Sequence, residues 1–277
     1  MNLFSSELHS SFQAKKAIKV ITGIDRTDIS KIIDITKAAE LSGCTYVDVV
    51  ANPKVVKLVK SVSSLPICVS SIDPIELYNC VVAGANLIEI GNFDFCYKQG
   101  IYLTSVNILQ LTRELKYLMN NIDLCVTIPY YLSISEQVKL AQELEFLGVS
   151  IIQTESMFIK NKLQFINCNN SNTFSSAYPS YSSLLSTYFI SKYVDIPIIT
   201  SSSLNTITSS MALLFGASGI GVGSIIRNQN NLMEMYQYLK SLRISINLIA
   251  DQQFNNLHFL HYSSSRLYPD TIKNLLI

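Results

Sequence analysis

Two hydrophobic rhythms alternate along this chain. Short runs rich in β-branched residues, at 17–22, 46–50, 67–70, 87–90, 124–128, 151–154, 198–200 and 219–222, are separated by longer stretches with helical spacing. The first such stretch repeats Ile29, Ile32, Ile33, Ile35, Thr36 and Ala39 behind a turn holding Asp25 and Asp28. Asp73-Pro-Ile-Glu76 reads as a capping box, with an acceptor side chain at the helix start and proline at the tolerant first position. Ser135-Glu-Gln-Val and residues 206–215 open two further amphipathic helices. Eight strand-then-helix units predict parallel pairing, because each return to the sheet needs a crossover.

The returns from helix to strand fall into two classes. Gly43, Gly84, Gly148 and Gly216 precede the even-numbered runs, whereas Leu65-Pro66, Ile196-Pro197 and Ile122-Asp123 precede odd-numbered ones. An odd/even regularity over eight units fits a closed ring better than an open sheet, since alternate strands of a barrel fill alternate interior layers. The expectation is therefore one α/β domain, a single (β/α)8 TIM barrel of the phosphate-binding type. Residues 1–243 carry the barrel, with a short N-terminal helix at 4–12 plugging or flanking its bottom. Residues 244–277 form a C-terminal extension that is not an independent domain. A stretch at 157–179, rich in Asn and Ser, is long for a strand-to-helix loop. It reads equally as a lid and as an insertion expanded by biased codon usage.

Composition narrows the function classes. The 277 residues are 48% hydrophobic and 15% charged, enough apolar surface for a core and too little net charge for disorder. Lys plus Arg number 21 against 20 Asp plus Glu, so no general field exists to hold nucleic acid or an anionic membrane. No apolar run approaches the ~18 residues of a membrane span, and the first residues lack a basic or Arg-rich leader. The six cysteines sit in apolar runs without C-x-x-C spacing, which predicts buried thiols in a reducing compartment and no metal site. His258 and His261 have no Cys or carboxylate beside them. Abundant Ile, Asn, Ser, Lys and Tyr with no Trp fit an A+T-rich coding genome.

Barrel chemistry gathers at the C-terminal ends of the strands. Five residues beyond the return glycines stand Asp48, Glu89, Gln153 and Gly221, equivalent positions on one face of the even strands. Lys19 interrupts the apolar first strand, where a charge is tolerated only if paired. Lys19, Asp48 and Glu89 are therefore expected to cluster in the barrel throat. Two readings stand side by side: a catalytic trio able to move protons, or an ion-pair network that only fills the polar layer. At the end of the repeat, Thr200-Ser-Ser-Ser203 and Gly219-Ile-Gly-Val-Gly-Ser224 bring Ser202, Ser203, Gly221, Gly223 and Ser224 to the place where such barrels seat phosphate. Asn52, Ser70, Ser71, Asn92, Thr127 and Glu155 ring the same mouth, first as caps or turn formers. Of these, Ser70, Asn92 and Thr127 join Gln153 as candidate substrate contacts. The aromatics of Phe93-Asp-Phe-Cys-Tyr-Lys-Gln-Gly100 either cover a ligand or pin their own loop.

Lys19-Val-Ile-Thr-Gly23, Tyr46-Val-Asp-Val-Val-Ala-Asn-Pro53, Pro66-Ile-Cys-Val-Ser-Ser-Ile-Asp-Pro74, Glu89-Ile-Gly-Asn-Phe-Asp94, Gln153-Thr-Glu155 and the glycine run ending at Ser224 together resemble one family. It is the hypothetical chloroplast reading frame family twenty-three of red-algal and related plastids and cyanobacteria. The resemblance spans about residues 4–229 and implies a location in the plastid stroma but no particular activity. The pattern after strands seven and eight is also similar, more distantly, to thiamine phosphate synthase, ribulose-phosphate-binding enzymes and flavin mononucleotide oxidoreductases. Those barrels usually carry glycine where this chain has Ser203, and a serine is expected to resist the positive φ of a phosphate loop.

The function expected is binding of a small phosphorylated molecule, with lyase, isomerase or synthase chemistry at Lys19, Asp48 and Glu89. The alternatives are a metabolite sensor without turnover and an oxidoreductase using flavin mononucleotide as cofactor.

Overall fold

The computed structural model describes residue 3 and residues 5–23, 28–91, 93–156 and 180–266, without the side chains of Glu7, Asp94, Phe95 and residues 253–266. Expectations for Asn92, Cys168, the 157–179 loop and the side chains of His258 and His261 lie outside these described residues. Eight strands, β1 (Ala17–Ile21), β2 (Tyr46–Val50), β3 (Ile67–Ser71), β4 (Leu87–Ile90), β5 (Asp123–Ile128), β6 (Ile151–Thr154), β7 (Ile198–Thr200) and β8 (Gly219–Val222), pair in sequence order. Every pairing is parallel, and β8 closes on β1 with Lys19 opposite Gly221. Around the ring run α2 (Ile29–Leu41), α3 (Pro53–Val62), α4 (Pro74–Ala83), α5 (Asp94–Lys98), α6 (Ser105–Leu118), α7 (Ile134–Phe146), α8 (Tyr181–Ile190), α9 (Thr206–Leu214), α10 (Ser224–Arg227) and α11 (Leu232–Arg266). A first helix, α1 (Ser6–Gln13), precedes β1.

Strand alternation divides the interior into two cores. Outward residues such as Ile18, Val20, Val47, Val49, Val69, Ile88, Val126, Ile152 and Ile220 pack against the helices. Inward residues Ala17, Tyr46, Cys68, Leu87, Cys125, Ile151 and Ile199 form a separate cluster, closed from below by Leu8 and Phe12 of α1. The Phe12 and Tyr46 rings lie 6.4 Å apart. The N-terminal helix is thus the floor of the barrel. Five of the cysteines, Cys44, Cys68, Cys80, Cys96 and Cys125, are buried thiols.

Local chemistry sets the element ends. The return glycines Gly43, Gly84, Gly148 and Gly216 all have positive φ, from 68° to 110°, which ends each helix without a Cβ clash. Two helix starts depart from expectation. Asp73 accepts from the Ile75 and Glu76 amides, but Glu76 returns its carboxylate to the Ser71 hydroxyl, 2.7 Å away, instead of to the cap backbone. Ser71 then accepts the Asp73 N–H, so a relay replaces the reciprocal box. Helix α7 begins earlier than residue 135, because Ser133 and Glu136 form the true capping box. Helix α11 is latched to the barrel bottom by Arg243, which donates to the carbonyls of Lys16 and Gly43 at 2.5 and 2.6 Å.

Removing the floor should be costly. Phe12→Ala is expected to lower stability by about 3–5 kcal/mol, the usual loss for a buried Phe. Urea unfolding measures it, and a loss under about 1 kcal/mol would show that α1 is not part of the core.

Candidate functional site

The strand register stacks the inward side chains in layers. Asp48 pairs with Ile21 and Cys68, Glu89 with Ser70 and Cys125, and Gln153 with Thr127 and Ile199. Asp48, Glu89, Gln153 and Gly221 therefore share one layer, as alternate strands of a closed barrel require. Below it lie Lys19, Cys68, Cys125 and Ile199; above it lie Ile21, Ser70, Thr127 and Ser201. Lys19 reaches up from its own layer into the centre of the next.

There the polar groups form one network. The Lys19 ammonium donates to Glu89 Oε2, donates to Gln153 Oε1 at 3.0 Å and lies 3.1 Å from Asp48 Oδ2. Gln153 Nε2 donates to Glu89 Oε1 at 2.8 Å and to Thr127 Oγ1 at 3.0 Å, while the Thr127 hydroxyl donates to Glu89 Oε1 at 2.9 Å. The Ser70 hydroxyl donates to Asp48 Oδ1 at 2.7 Å. Lys19, Asp48 and Glu89 are each at most 1% exposed. Two glycines make room. A Cβ at Gly91 would stand 2.3 Å from Glu89 Oε1, and one at Gly221 would stand 2.8 Å from the Ser201 Cβ and 3.5 Å from Gln153 Oε1. Gly221 thus serves the network from inside the barrel, below the rim where a phosphate was expected.

Burial and charge pull against each other here. Burial works against the Lys19 ammonium, but the carboxylates of Asp48 and Glu89 outweigh it and hold the pKa well above the ordinary 10.5. Lys19 is a fixed cation, unsuited to attack as a free amine. Burial pushes the Asp48 carboxyl up to about 6, against the pull of Lys19 and with help from Glu89. A carboxyl near neutrality can both take and give a proton. Asp48, Cys68 and Glu89 also offer three ligand atoms within 4.8 Å of one another. The Lys19 ammonium already lies between the two carboxylates, and burial pushes the Cys68 thiol up, away from the thiolate a metal needs. The donor set therefore does not fit a metal as it stands.

At the rim, Ser202 and Ser203 adopt φ of 73° and 57°. The expected resistance of serine to a left-handed backbone is overridden, a strain usually held only where the surroundings enforce it. The Ser203 hydroxyl is buried with no hydrogen-bond partner among the described residues. Gly223 caps α10, whose first residue is Ser224. Asn52 caps α3 through the Lys54 amide, 2.9 Å away. Glu155 is not a cap: it is buried, accepting from the Tyr97 hydroxyl and, at 3.2 Å, from the Tyr130 amide. Tyr97 also stacks on Tyr102, and with Phe93 it is at most 5% exposed, so these aromatics pin their loop. One rim residue escaped the sequence reading. Arg227 folds back so that Nη1 donates to the Ile21 carbonyl at 3.1 Å; the signal was the pair Gly23 and Gly223, bare at the ends of neighbouring strands.

Asp48 gives this layer a pH signature. Its pKa is raised in the folded state, so the folded chain keeps a proton that the unfolded chain loses above the ordinary 3.8. Stability from this group is full below that value and is lost as pH rises through about 6. Relative to Asp48→Asn, which does not titrate, the parent should lose on the order of 2 kcal/mol between about pH 4 and about pH 7. Chemical unfolding of both proteins at the two pH values checks this; a constant difference would mean that Asp48 is ionised throughout.

Similarity to known proteins agrees with the architecture. The Pyrococcus furiosus thiamine phosphate pyrophosphorylase has a TM-score of 0.57 at 15% identity, covering 86% of this chain and 98% of that one. The Thermoplasma acidophilum (S)-3-O-geranylgeranylglyceryl phosphate synthase, solved with its substrate sn-glycerol-1-phosphate, has a TM-score of 0.58 at 11% identity, covering 89% and 99%. These likenesses are of fold. The "Uncharacterized protein ycf23" of Antithamnion sp. is 45% identical over 271 residues, 96% of this chain and 98% of its own. The family described as "Protein of unknown function (DUF561)" matches residues 4–252. With ycf23 proteins aligned over nearly its whole length and the family pattern spanning the entire barrel, the chain belongs to the DUF561 family.

Proposed function

We propose that this barrel binds a small phosphorylated metabolite at its C-terminal mouth and transfers a proton on it, in a lyase, isomerase or synthase type of reaction. The observation that carries the reading is the buried cluster of Lys19, Asp48 and Glu89 directly beneath the rim, where burial pushes the Asp48 carboxyl up. Ser70 stands one layer higher with its hydroxyl on Asp48. It is the relay: a substrate proton passes to Ser70 Oγ as the Ser70 proton passes to Asp48, and the reverse transfer returns it. Lys19 stays a cation and stabilises negative charge as it develops. Glu89, Gln153 and Thr127 hold Lys19 in place from below the substrate. Ser202, Ser203, Gly223 and Ser224 are the phosphate seat, with Asn92 a further contact. The phosphorylated compounds named for the fold neighbours support this substrate class. The ycf23 relatives support a plastid location, with the stroma the compartment proposed.

A second reading, ligand binding without turnover, is favoured by the inward pairing of Lys19, Glu89 and Gln153, which closes the network on itself.

Native mass spectrometry of the freshly purified chain is expected to show a retained phosphorylated species. Thermal shift with a panel of phosphorylated metabolites should then raise the Tm of the parent. Ser70→Ala and Asp48→Asn should keep that rise while lowering turnover by about 100-fold or more. Equal Tm rises with no turnover in any protein would select the sensor. A retained flavin would select the flavin mononucleotide oxidoreductase, and the lack of any phosphorylated ligand or Tm response would overturn the reading.

A further inference from the structure

Among the described residues, charged groups stand at several strand ends of the rim. Glu155 lies buried at the end of β6, and the Glu89 carboxyl sits under Gly91 at the end of β4. At the ends of β8 and β1, two strands on from β6 around the ring, the side chain of Arg227 lies over two glycines. A Cβ built on Gly23 would meet Arg227 Cδ at 3.2 Å and Nε at 3.4 Å. A Cβ built on Gly223 would meet Arg227 Nη1 at 2.6 Å and the Ile21 Cβ at 3.3 Å. Gly223 follows Gly221 by two, so its missing side chain points the same way, into the barrel. The guanidinium therefore occupies the inward place that a side chain on β8 would fill, two layers above Asp48 and Glu89.

The chain holds it there deliberately. Helix α10 is a single turn that carries residue 227 back over Gly223, and Nη1 donates to the Ile21 carbonyl at 3.1 Å. The segment that follows is tied to α2 by Lys31, which donates to the Gln229 carbonyl at 2.6 Å. The other arginines with described side chains, Arg113 on α6 and Arg243 on α11, belong to the outer helices. A side chain at position 223 would press on the guanidinium itself, and one at position 23, where φ is +103°, would crowd its stem.

We infer that Arg227 is the cationic ligand of the phosphate, gripping two of its oxygens through the planar fork of the guanidinium. This rests on the phosphorylated-metabolite reading and adds to it a residue and a ligand class. The class is a phosphate monoester whose dianion meets Arg227 at the β8/β1 rim, beside the left-handed serines at the end of β7. The uncharged part of the ligand then extends toward Ser70, Thr127 and the relay to Asp48. An arginine suits this task because its fork matches two phosphate oxygens at once, whereas a lysine offers only a point charge.

The test uses the whole chain with inorganic phosphate and glycerol phosphate as probes, against potassium chloride at equal ionic strength, read by thermal shift and calorimetric titration. The parent is expected to bind both. Arg227→Gln should weaken binding by about tenfold or more, and Arg227→Lys should fall between, keeping charge but losing the fork. The circular dichroism of Arg227→Gln and its Tm in potassium chloride should stay those of the parent, and Arg113→Gln on α6, which removes the same charge away from the rim, should bind as the parent does, so loss of the guanidinium is separated from loss of fold or of net charge. If the parent binds and Arg227→Gln binds within about twofold of it, the role of Arg227 is overturned and the broader reading survives. If the parent responds to no phosphate, both fall together.

Discussion

One ammonium near the barrel axis constrains everything above it. Lys19 is buried among Asp48, Glu89 and Gln153, and a charge so placed is stable only while every partner holds position. Removing either side of such a pair leaves an unpaired charge in a dry interior, at a cost of about 3–5 kcal/mol. The ring of strands must therefore close in one register, because a slip of one residue would turn Asp48 or Glu89 outward into the apolar layer beneath the helices. Register and charge pairing specify each other.

The interior is graded from bottom to top. Below the network the inward side chains are apolar or thiol, and α1 seals them with Leu8 and Phe12. This dry floor raises the Asp48 carboxyl and strengthens the pairing of Lys19. Above the network stand hydroxyls and bare glycines. The gradient places a titrating carboxyl between a sealed base and a rim lined with donors, and Ser70 connects the two levels. Function in such a barrel depends on groups being held where water is scarce and a ligand can still approach.

The rim shows where the backbone itself is forced. Ser202 and Ser203 stand in a conformation that serine adopts reluctantly, and Arg227 lies in space that two glycines leave open. Both features are costly or unnecessary for a barrel that only needs to fold. They lie at the ends of β7, β8 and β1, and the buried Glu155 with its tyrosine hydroxyl partner stands beside them at the end of β6.

The sequence by itself determined the architecture. Eight strand-and-helix units, four return glycines at regular offsets and a lone lysine in an apolar strand carry the information for a closed ring, because periodicity and turn chemistry are local. The same offsets also placed Asp48, Glu89, Gln153 and Gly221 at one level, since equivalent positions in a repeat become equivalent layers. Capping details were less legible: Asp73 and Glu76 have the spacing of a reciprocal box, yet Ser71 intercepts the carboxylate. Only the tertiary structure decided that Gly221 packs inside the network, that Glu155 is a buried acceptor and that serine is held at positive φ. It alone brought Arg227 across to Gly23, more than two hundred residues away in sequence. Each of these outcomes depends on which side chains face one another across a closed barrel, and closure is a property of all eight strands together.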